Sequence, residues 1–184
     1  MYHGVGQILK RYWTAYGGWS AFLRSPYLHF SFVLTILTAH FWLTEKWWDQ
    51  PISVIPNLLG FSLGGLAMFL SFGDEKFRSE LMEHKDGEIS SYLGLSSTFV
   101  HFIILQVLAL SLAIVAKGLD FYFYWPTCIR SIIDISTKIF SGFGYLIFLY
   151  SVISMVAATL GIFRACSWYQ LIQNSNRNSP DKKN

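Results

Sequence analysis

Four long, uncharged stretches of mostly apolar residues limit what this chain can fold into. They cover about 27–43, 52–73, 93–116 and 139–163, and none contains Asp, Glu, Lys or Arg. A helix that crosses the hydrocarbon core of a bilayer needs about 17 to 25 predominantly apolar residues. A soluble protein of 184 residues would have too little polar surface to cover four such helices. The sequence therefore predicts an all-α fold, a polytopic membrane helix bundle with four transmembrane helices.

The charge of the chain agrees with this fold and excludes one class of function. Charged side chains make up 14% of the residues, against about 25% in an average soluble domain. The net charge is only +3 and no basic run is present, whereas a nucleic-acid-binding domain carries a clustered basic patch. We therefore expect the lipid bilayer to be a partner of the chain, and we expect no direct binding of nucleic acid.

The distribution of Lys and Arg predicts which segments face the cytoplasm. Ten of the 14 lie before the first stretch, in the loop after the second stretch, or after the fourth stretch. The other four lie in the first and third loops: Lys46, Lys117, Arg130 and Lys138. Cytoplasmic segments carry the excess of Lys and Arg. We therefore expect a multi-pass protein of the bacterial inner (plasma) membrane with both termini in the cytoplasm.

Residues 1–26 show the period of an amphipathic helix. Apolar and aromatic side chains recur on one face at about 100° per residue. They are Val5, Ile8, Leu9, Tyr12, Trp13, Tyr16, Trp19 and Leu23. Lys10 and Arg11 lie on the other face, and Pro26 ends the pattern. Such a helix lies in the plane of the membrane interface, where it either anchors the chain passively or senses the state of the lipid.

Three segments follow from these patterns. Residues 1–26 form the interfacial helix, 27–164 the four-span transmembrane domain, and 165–184 a polar cytoplasmic tail whose last part has a composition typical of disorder. The stretch Ile129 to Lys138 has helical periodicity and is expected to continue into the fourth span. The tryptophans Trp42, Trp47 and Trp48 are expected to lie in an aromatic belt at the outer surface, because the indole ring prefers the headgroup level.

The loop between the second and third spans is the most charged part of the chain. Asp74 is suited to cap a short helix that places Phe77 and Leu81 on one face. Two interpretations of its acidic residues remain open, a solvated connecting helix and a docking surface for a cytoplasmic protein partner. The residues predicted for docking are Glu80, Glu83 and Asp86.

Small residues mark predicted helix-packing faces in two of the spans. Helices associate in lipid where small side chains let their backbones approach. The candidates for packing within the chain or between copies of a homo-oligomer are Gly60, Gly64, Ser151, Ser154, Ala158 and Gly161. A serine-rich face of the fourth span would also be able to line a narrow polar path in an oligomer.

His101 and Gln106 form the candidate polar site inside the membrane. No Asp, Glu, Lys or Arg lies within a span, which argues against ion-coupled transport because such transporters need an ionisable residue in the membrane. A haem would need two histidines at matching depth, but His29 and His40 lie near the ends of the first span. Hydrogen bonds between helices are therefore the first interpretation of His101 and Gln106, with no metal or cofactor.

Two strings resemble sequences of known bacterial proteins. IPNLLGFSLGGLAMFLSFGDEKF (Ile55 to Phe77) and FVHFIILQVLAL (Phe99 to Leu110) look like a pattern in small multi-pass bacterial membrane proteins of unassigned function. By length and four-span layout, the chain is also similar to the membrane subunit of the Kiwa phage-defence system. That resemblance implies an oligomeric inner-membrane protein that senses envelope disturbance beside a cytoplasmic DNA-binding partner. It carries no functional residues over to this chain.

The sequence contains no constellation typical of an enzyme, such as a Ser/His/Asp set or paired carboxylates in a cleft. Our first hypothesis is a non-enzymatic, oligomeric inner-membrane protein. It would act as a sensor or permeability effector with a cytoplasmic partner, with a role in phage defence. The second hypothesis is a channel or exporter for a small solute. The third is an intramembrane haem or lipid enzyme built around His101.

Overall fold

The computed structural model describes residues 2–44, 46–73, 75–82, 90–120 and 127–177, and these residues are all-helical. Eight helices and no strand occur within these ranges, which confirms the predicted all-α class. The helices are α1 (Tyr2–Tyr16), α2 (Gly18–Leu23), α3 (Pro26–Leu37), α4 (Ala39–Thr44), α5 (Asp49–Ser71), α6 (Glu75–Met82), α7 (Ser91–Leu119) and α8 (Thr127–Arg177).

Three of these helices are long and apolar enough to cross a membrane. They are α5, α7 and the part of α8 from Arg130 to Asn174. Each contains at least 23 residues, which at 1.5 Å per residue exceeds about 30 Å, the thickness of the hydrocarbon core. The prediction of a bundle with long apolar helices is therefore confirmed for three helices.

The first predicted span, 27–43, is divided at Thr38 into α3 and α4. The hydroxyl of Thr38 donates to Leu34 O at 2.6 Å, and Trp42 Nε1 donates to Thr35 O at 2.8 Å. In an unbroken helix, the carbonyl of residue 35 would accept from the N–H of residue 39. The side chains compete for the backbone acceptors at this point. With 12 residues, α3 reaches only about 18 Å, so the structure does not confirm a fourth continuous span.

Helix α8 is one continuous element of 51 residues. The prediction that the segment before the fourth span continues into it as one helix is confirmed. The helix also extends past the predicted end of that span, because residues 165–177, expected to begin a polar tail, remain helical. At about 76 Å, α8 is more than twice as long as the hydrocarbon core is thick. Residues 178–184 lie outside the described residues.

Helix α7 lies between α5 and α8 and packs along both, while α8 also contacts α3 and α4. Ala109 and Ala113 are completely buried on α7 and allow close approach of the neighbouring helices. One core cluster surrounds these alanines and includes Ile55 and Phe148. A second cluster lies towards the other end of the bundle, and its buried members are Phe69, Phe99, Phe102, Ala158 and Ala165.

The prediction that Trp47 lies in an aromatic belt at the surface is wrong. The Trp47 side chain is only 1% exposed and belongs to the first core cluster. A Cβ on Gly144 would overlap the Trp47 indole, and one on Gly142 would lie 3.2 Å from the Trp42 ring. The glycines of α8 therefore make room for the tryptophans, which sequence periodicity cannot show because the contact joins distant segments.

The short helix expected in the charged loop is present as α6. Its apolar residues Phe77 and Leu81, which were predicted to share one face of the helix, are buried. The Phe77 ring packs edge-on against Phe72 and against Tyr169 of α8, with centroids 5.9 and 5.1 Å apart. Gly73 precedes α6 with φ of 82°, where a Cβ would collide with the Phe77 ring. Helix α6 is thus folded against the bundle.

Candidate functional site

Helix α1 folds back onto the bundle and packs against α7. The chain turns at Gly17 and Gly18, whose φ angles of 104° and 63° are those that glycine adopts without strain. The predicted apolar face of the segment is divided by this docking. Tyr12, Trp13 and Tyr16 are partly buried, whereas Val5, Ile8, Leu9, Trp19 and Leu23 remain exposed. One part of the face therefore contacts protein and the other part is exposed.

The docking contact is centred on His101 of α7, which is only 3% exposed. Tyr12 Oη lies 2.6 Å from His101 Nδ1, within hydrogen-bond distance. The ring of Tyr16 stacks on the imidazole with centroids 3.9 Å apart and planes inclined by 20°. On the other side, His101 Nε2 lies 3.4 Å from Tyr150 Oη of α8. The imidazole thus connects α1 to both α7 and α8.

The proton positions in this cluster follow from the phenols. Burial, and secondarily the charge of Tyr150, raises the pKa of Tyr12 to about 12. Burial is also the main cause that raises the pKa of Tyr16, and the hydrogen bond of Tyr16 with Tyr150 raises it further. Both phenols are therefore neutral donors near neutral pH. When Tyr12 donates to Nδ1, a neutral imidazole carries its proton on Nε2, which faces Tyr150.

Gln106 forms a separate polar contact and does not join the His101 cluster. It is 0% exposed, and its Nε2 donates to Ser62 Oγ of α5 at 2.9 Å. The same nitrogen lies 3.4 Å from Met155 Sδ of α8. Its Oε1 has no hydrogen-bond partner in the described part of the chain. Gln106 therefore links three helices, while His101 links α1 to the bundle.

The small residues of α8 lie inside the chain. Ser151, Ser154 and Ala158 are buried, and a Cβ on Gly161 would lie 2.9 Å from Leu95 of α7. The hydroxyls of the two serines donate to carbonyls of their own helix, those of Phe148 and Tyr150, at 2.7 and 2.6 Å. These hydroxyls are therefore buried and satisfied within one chain, and the polar path that the sequence suggested for an oligomer stays a prediction.

Gly60 and Gly64 differ from the small residues of α8. Both are exposed, and no atom lies within 4 Å of a Cβ built on either glycine. They border an open groove of about 710 Å³ between α5 and α8, whose lining also includes Met68, Met155 and Ile162. Within one chain, these two glycines therefore do not mediate helix packing.

The side chains of the predicted partner-docking residues lie outside the described part of the chain. Glu80 belongs to α6, but its side chain lies outside the described residues, as do Glu83 and Asp86 altogether. Among the residues that are described, no group of three or more His, Cys, Asp or Glu side chains is arranged to hold a metal.

Sequence reasoning identified His101 but missed the three tyrosines around it. Tyr12 and Tyr16 were assigned to a lipid-facing stripe, although their four-residue spacing would place two hydroxyls side by side. Tyr150 lies in the middle of an apolar span, whereas Tyr usually finds a polar partner when it is buried. That position was the available signal for a buried hydrogen-bonding site.

Comparison with known proteins adds no relative. No protein-family model, no curated protein and no solved structure matches this chain.

Proposed function

We propose that this chain is a non-enzymatic, multi-pass protein of the bacterial inner membrane that senses the state of the lipid surface. In this proposal α1 is the sensing element, and its docking on His101 transmits the lipid state to the bundle. The observation that carries the proposal is the contact of Tyr12 and Tyr16 with the buried His101 imidazole. A helix that served only as an anchor would not need polar contacts with the bundle.

The exposed part of α1 supports this role. Val5, Ile8 and Leu9 face away from the bundle on the helix that carries Lys10 and Arg11. Amphipathic helices of this type bind the interface with a strength that depends on lipid composition and curvature. The same helix is therefore in contact with lipid on one side and with α7 on the other. A change in lipid affinity would compete directly with docking on His101.

The proposed orientation places both termini in the cytoplasm, with α3 and α4 together forming a broken fourth crossing. It is supported by the excess of Lys and Arg in the segments assigned to that side. The Lys46–Asp120 and Lys117–Asp49 ion pairs join the first loop to the end of α7. This agrees with a common outer surface for the two segments.

The signal would leave the bundle through α6 and the acidic residues after it. Phe77 and Leu81 hold α6 against the bundle, so a displacement of α7 or α8 would be transmitted to α6. We propose that a cytoplasmic protein docks on Glu80, Glu83 and Asp86, and that the pair acts in phage defence. Charge reversal of these three residues should abolish co-purification of that protein, and its undiminished retention would contradict this docking site.

Self-association completes the proposal. Gly60 and Gly64 are exposed next to a groove and have no packing role within the chain. Helices approach each other closely in lipid at positions of this kind. We therefore propose that α5 provides the contact between copies in a homo-oligomer.

The sensing role is tested by the distance between α1 and α7 in vesicles. Spin labels at Gln7→Cys and Val107→Cys, in a background with Cys128→Ser and Cys166→Ser, would report that distance. We expect one narrow distribution in phosphatidylcholine and a second, longer distance when lysophosphatidylcholine is added. The control Tyr27→Phe should behave like the parent protein. Tyr12→Phe should populate the long distance both with and without lysophosphatidylcholine. Identical distributions in both lipids would contradict sensing.

A further inference from the structure

A second, smaller cavity lies at the end of the bundle opposite α6, away from His101. Its volume is about 320 Å³, and it lies where α7 ends, beside the start of α5 and the first half of α8. The aromatic residues Trp48 and Phe140 line it, together with Asp120 and three hydroxyl-bearing residues of α8, Ser136, Thr137 and Ser141. Cavities that take small ligands begin at about 300 Å³ and combine apolar walls with a few polar groups.

The three hydroxyls at this cavity are unusual for the chain. In its apolar helices, Ser and Thr hydroxyls commonly donate to a carbonyl three or four residues earlier, as Ser151 and Ser154 do. Ser136, Thr137 and Ser141 make no hydrogen bond to any residue that the structure describes. Ser141 is only 7% exposed and lines the cavity. Ser136 and Thr137 are exposed, and the Ser141 hydroxyl is not among the enclosed unpartnered atoms of the described residues, so all three hydroxyls are accessible to a molecule in the cavity.

The charge of the cavity lining favours a positively charged ligand. Asp120 is the acidic residue of the lining, and its side chain is 45% exposed. Its ion pair with Lys46 is 3.8 Å long and joins two largely solvated groups, which makes it weak. Lys117, the next basic residue, is paired with Asp49 at 3.2 Å. The carboxylate is therefore available to a cation, and it would repel an anion.

The aromatic residues favour the same ligand. Trp and Phe rings attract ammonium groups through their negative faces, and Trp48 and Phe140 line the cavity together with Asp120. Asp120 directly follows α7, one of the helices long enough to cross the bilayer, and lipid headgroups lie at the ends of such helices. The cavity thus combines a carboxylate, two aromatic residues and free hydroxyls at headgroup depth.

We propose that this cavity binds an ammonium group, with Asp120 as its counter-ion and the hydroxyls of Ser136, Thr137 and Ser141 as hydrogen-bonding partners. Aminophospholipid headgroups and free organic amines share this chemistry. The site is independent of α1 docking and does not rest on the proposed sensing role.

The proposal is tested by native mass spectrometry of the full chain in detergent, with equimolar phosphatidylethanolamine and phosphatidylglycerol of identical acyl chains. We expect phosphatidylethanolamine to be retained at least about fivefold more, since a cation–π contact with an aromatic ring and an ion pair with the carboxylate together contribute this much or more. Asp120→Asn should bring the ratio close to one. The control Asp134→Asn removes an exposed carboxylate of α8 that does not line the cavity, and should preserve the preference.

Two further variants separate binding from folding. Lys46→Met breaks the ion pair but keeps the carboxylate, so the preference should be maintained or increased. Ser141→Ala removes one hydroxyl and should lower the preference about threefold. Addition of free ethanolamine distinguishes a lipid headgroup from a soluble amine as the source of the ammonium group. If ethanolamine displaces the lipid, the site is open to soluble amines, and if the lipid stays bound, the site binds headgroups. Equal retention of the two lipids, or an unchanged ratio in Asp120→Asn, would overturn the proposal.

Discussion

Tyr12 and His101 lie 89 positions apart in the chain, yet the phenol Oη and the imidazole Nδ1 are separated by 2.6 Å. The contact joins the N-terminal helix α1 to α7, the middle helix of an apolar bundle. Because Tyr16 stacks on the same imidazole, the position of α1 depends on one buried side chain. The first two predictions concern this contact.

Tyr12→Phe should loosen α1 without unfolding the bundle. The change leaves Nδ1 of a buried imidazole without its partner, at a cost of about 1–3 kcal/mol, and keeps the ring contacts. Hydrogen exchange of the amides of residues 2–16 should therefore accelerate, while that of α7 should not. Tyr27→Phe, which removes a hydroxyl outside the cluster, is the control. Equal protection in the two variants would show that the hydrogen bond does not hold α1.

Alkaline pH should release α1. The folded protein raises the pKa of Tyr12 to about 12 and also raises that of Tyr16, so the docked state favours the protonated phenols. Their contribution is complete below about pH 10, the pKa of a free phenol. It is lost as the pH rises through the folded-state values. Protection of α1 should be constant from about pH 6 to 9 and fall above about pH 10.

The near-ultraviolet absorbance of tyrosinate would follow the same titration. Tyr12→Phe should remove one of the late-titrating groups from the curve. A release of α1 below about pH 8 would contradict this origin of the pH dependence, since both phenols are protonated there.

Gly144→Ala should destabilise the bundle. The added Cβ would overlap the buried Trp47 indole, and overpacking of this kind typically costs about 1–3 kcal/mol. The midpoint of thermal unfolding in detergent should fall accordingly. Gly118→Ala is the matched control, because no atom lies within 4 Å of its added Cβ. A similar midpoint for the two variants would show that Trp47 moves aside freely.

Gln106→Leu should be tolerated much better than Gln106→Ala. The amide makes hydrogen bonds to Ser62 and Met155, but its Oε1 has no partner among the described residues. Such bonds between membrane helices contribute only about 0.6 kcal/mol on average. Leucine fills the same space and removes the unpaired oxygen, so we expect a loss below about 1 kcal/mol. Alanine leaves a cavity and should cost about 2 kcal/mol or more. Thermal unfolding in detergent measures both, and comparable losses would contradict this account.

Gly60→Leu together with Gly64→Leu should weaken association between copies. Both positions are open within the chain, so the bulky side chains should not disturb the monomer. Energy transfer between labelled copies in vesicles should decrease, while the thermal midpoint of the monomer in detergent stays unchanged. The control replaces Ile114 by Phe, a residue exposed on α7. Undiminished energy transfer in the double variant would place the contact elsewhere.

The residues around α6 show how far local patterns reach. Phe77 and Leu81 are four positions apart, and this spacing predicted the helix and the face that the two residues share, while the structure shows that this face is buried. The hydrophobic stretches likewise predicted the helical class, because hydropathy and length are properties of consecutive residues. The break at Thr38 was not predictable, since it depends on the side chain of Trp42, which takes the backbone acceptor of Thr35, seven positions before it.

The amino-acid sequence alone determined that the chain is helical and where three long apolar helices lie. These properties arise from interactions between neighbours three or four positions apart. Tertiary structure decided that Tyr12 and Tyr16 meet His101, that Trp47 lies against Gly144, and that Gly60 stays open. Those relationships depend on how separate helices are rotated and packed, and the period of any one helix leaves that rotation undetermined.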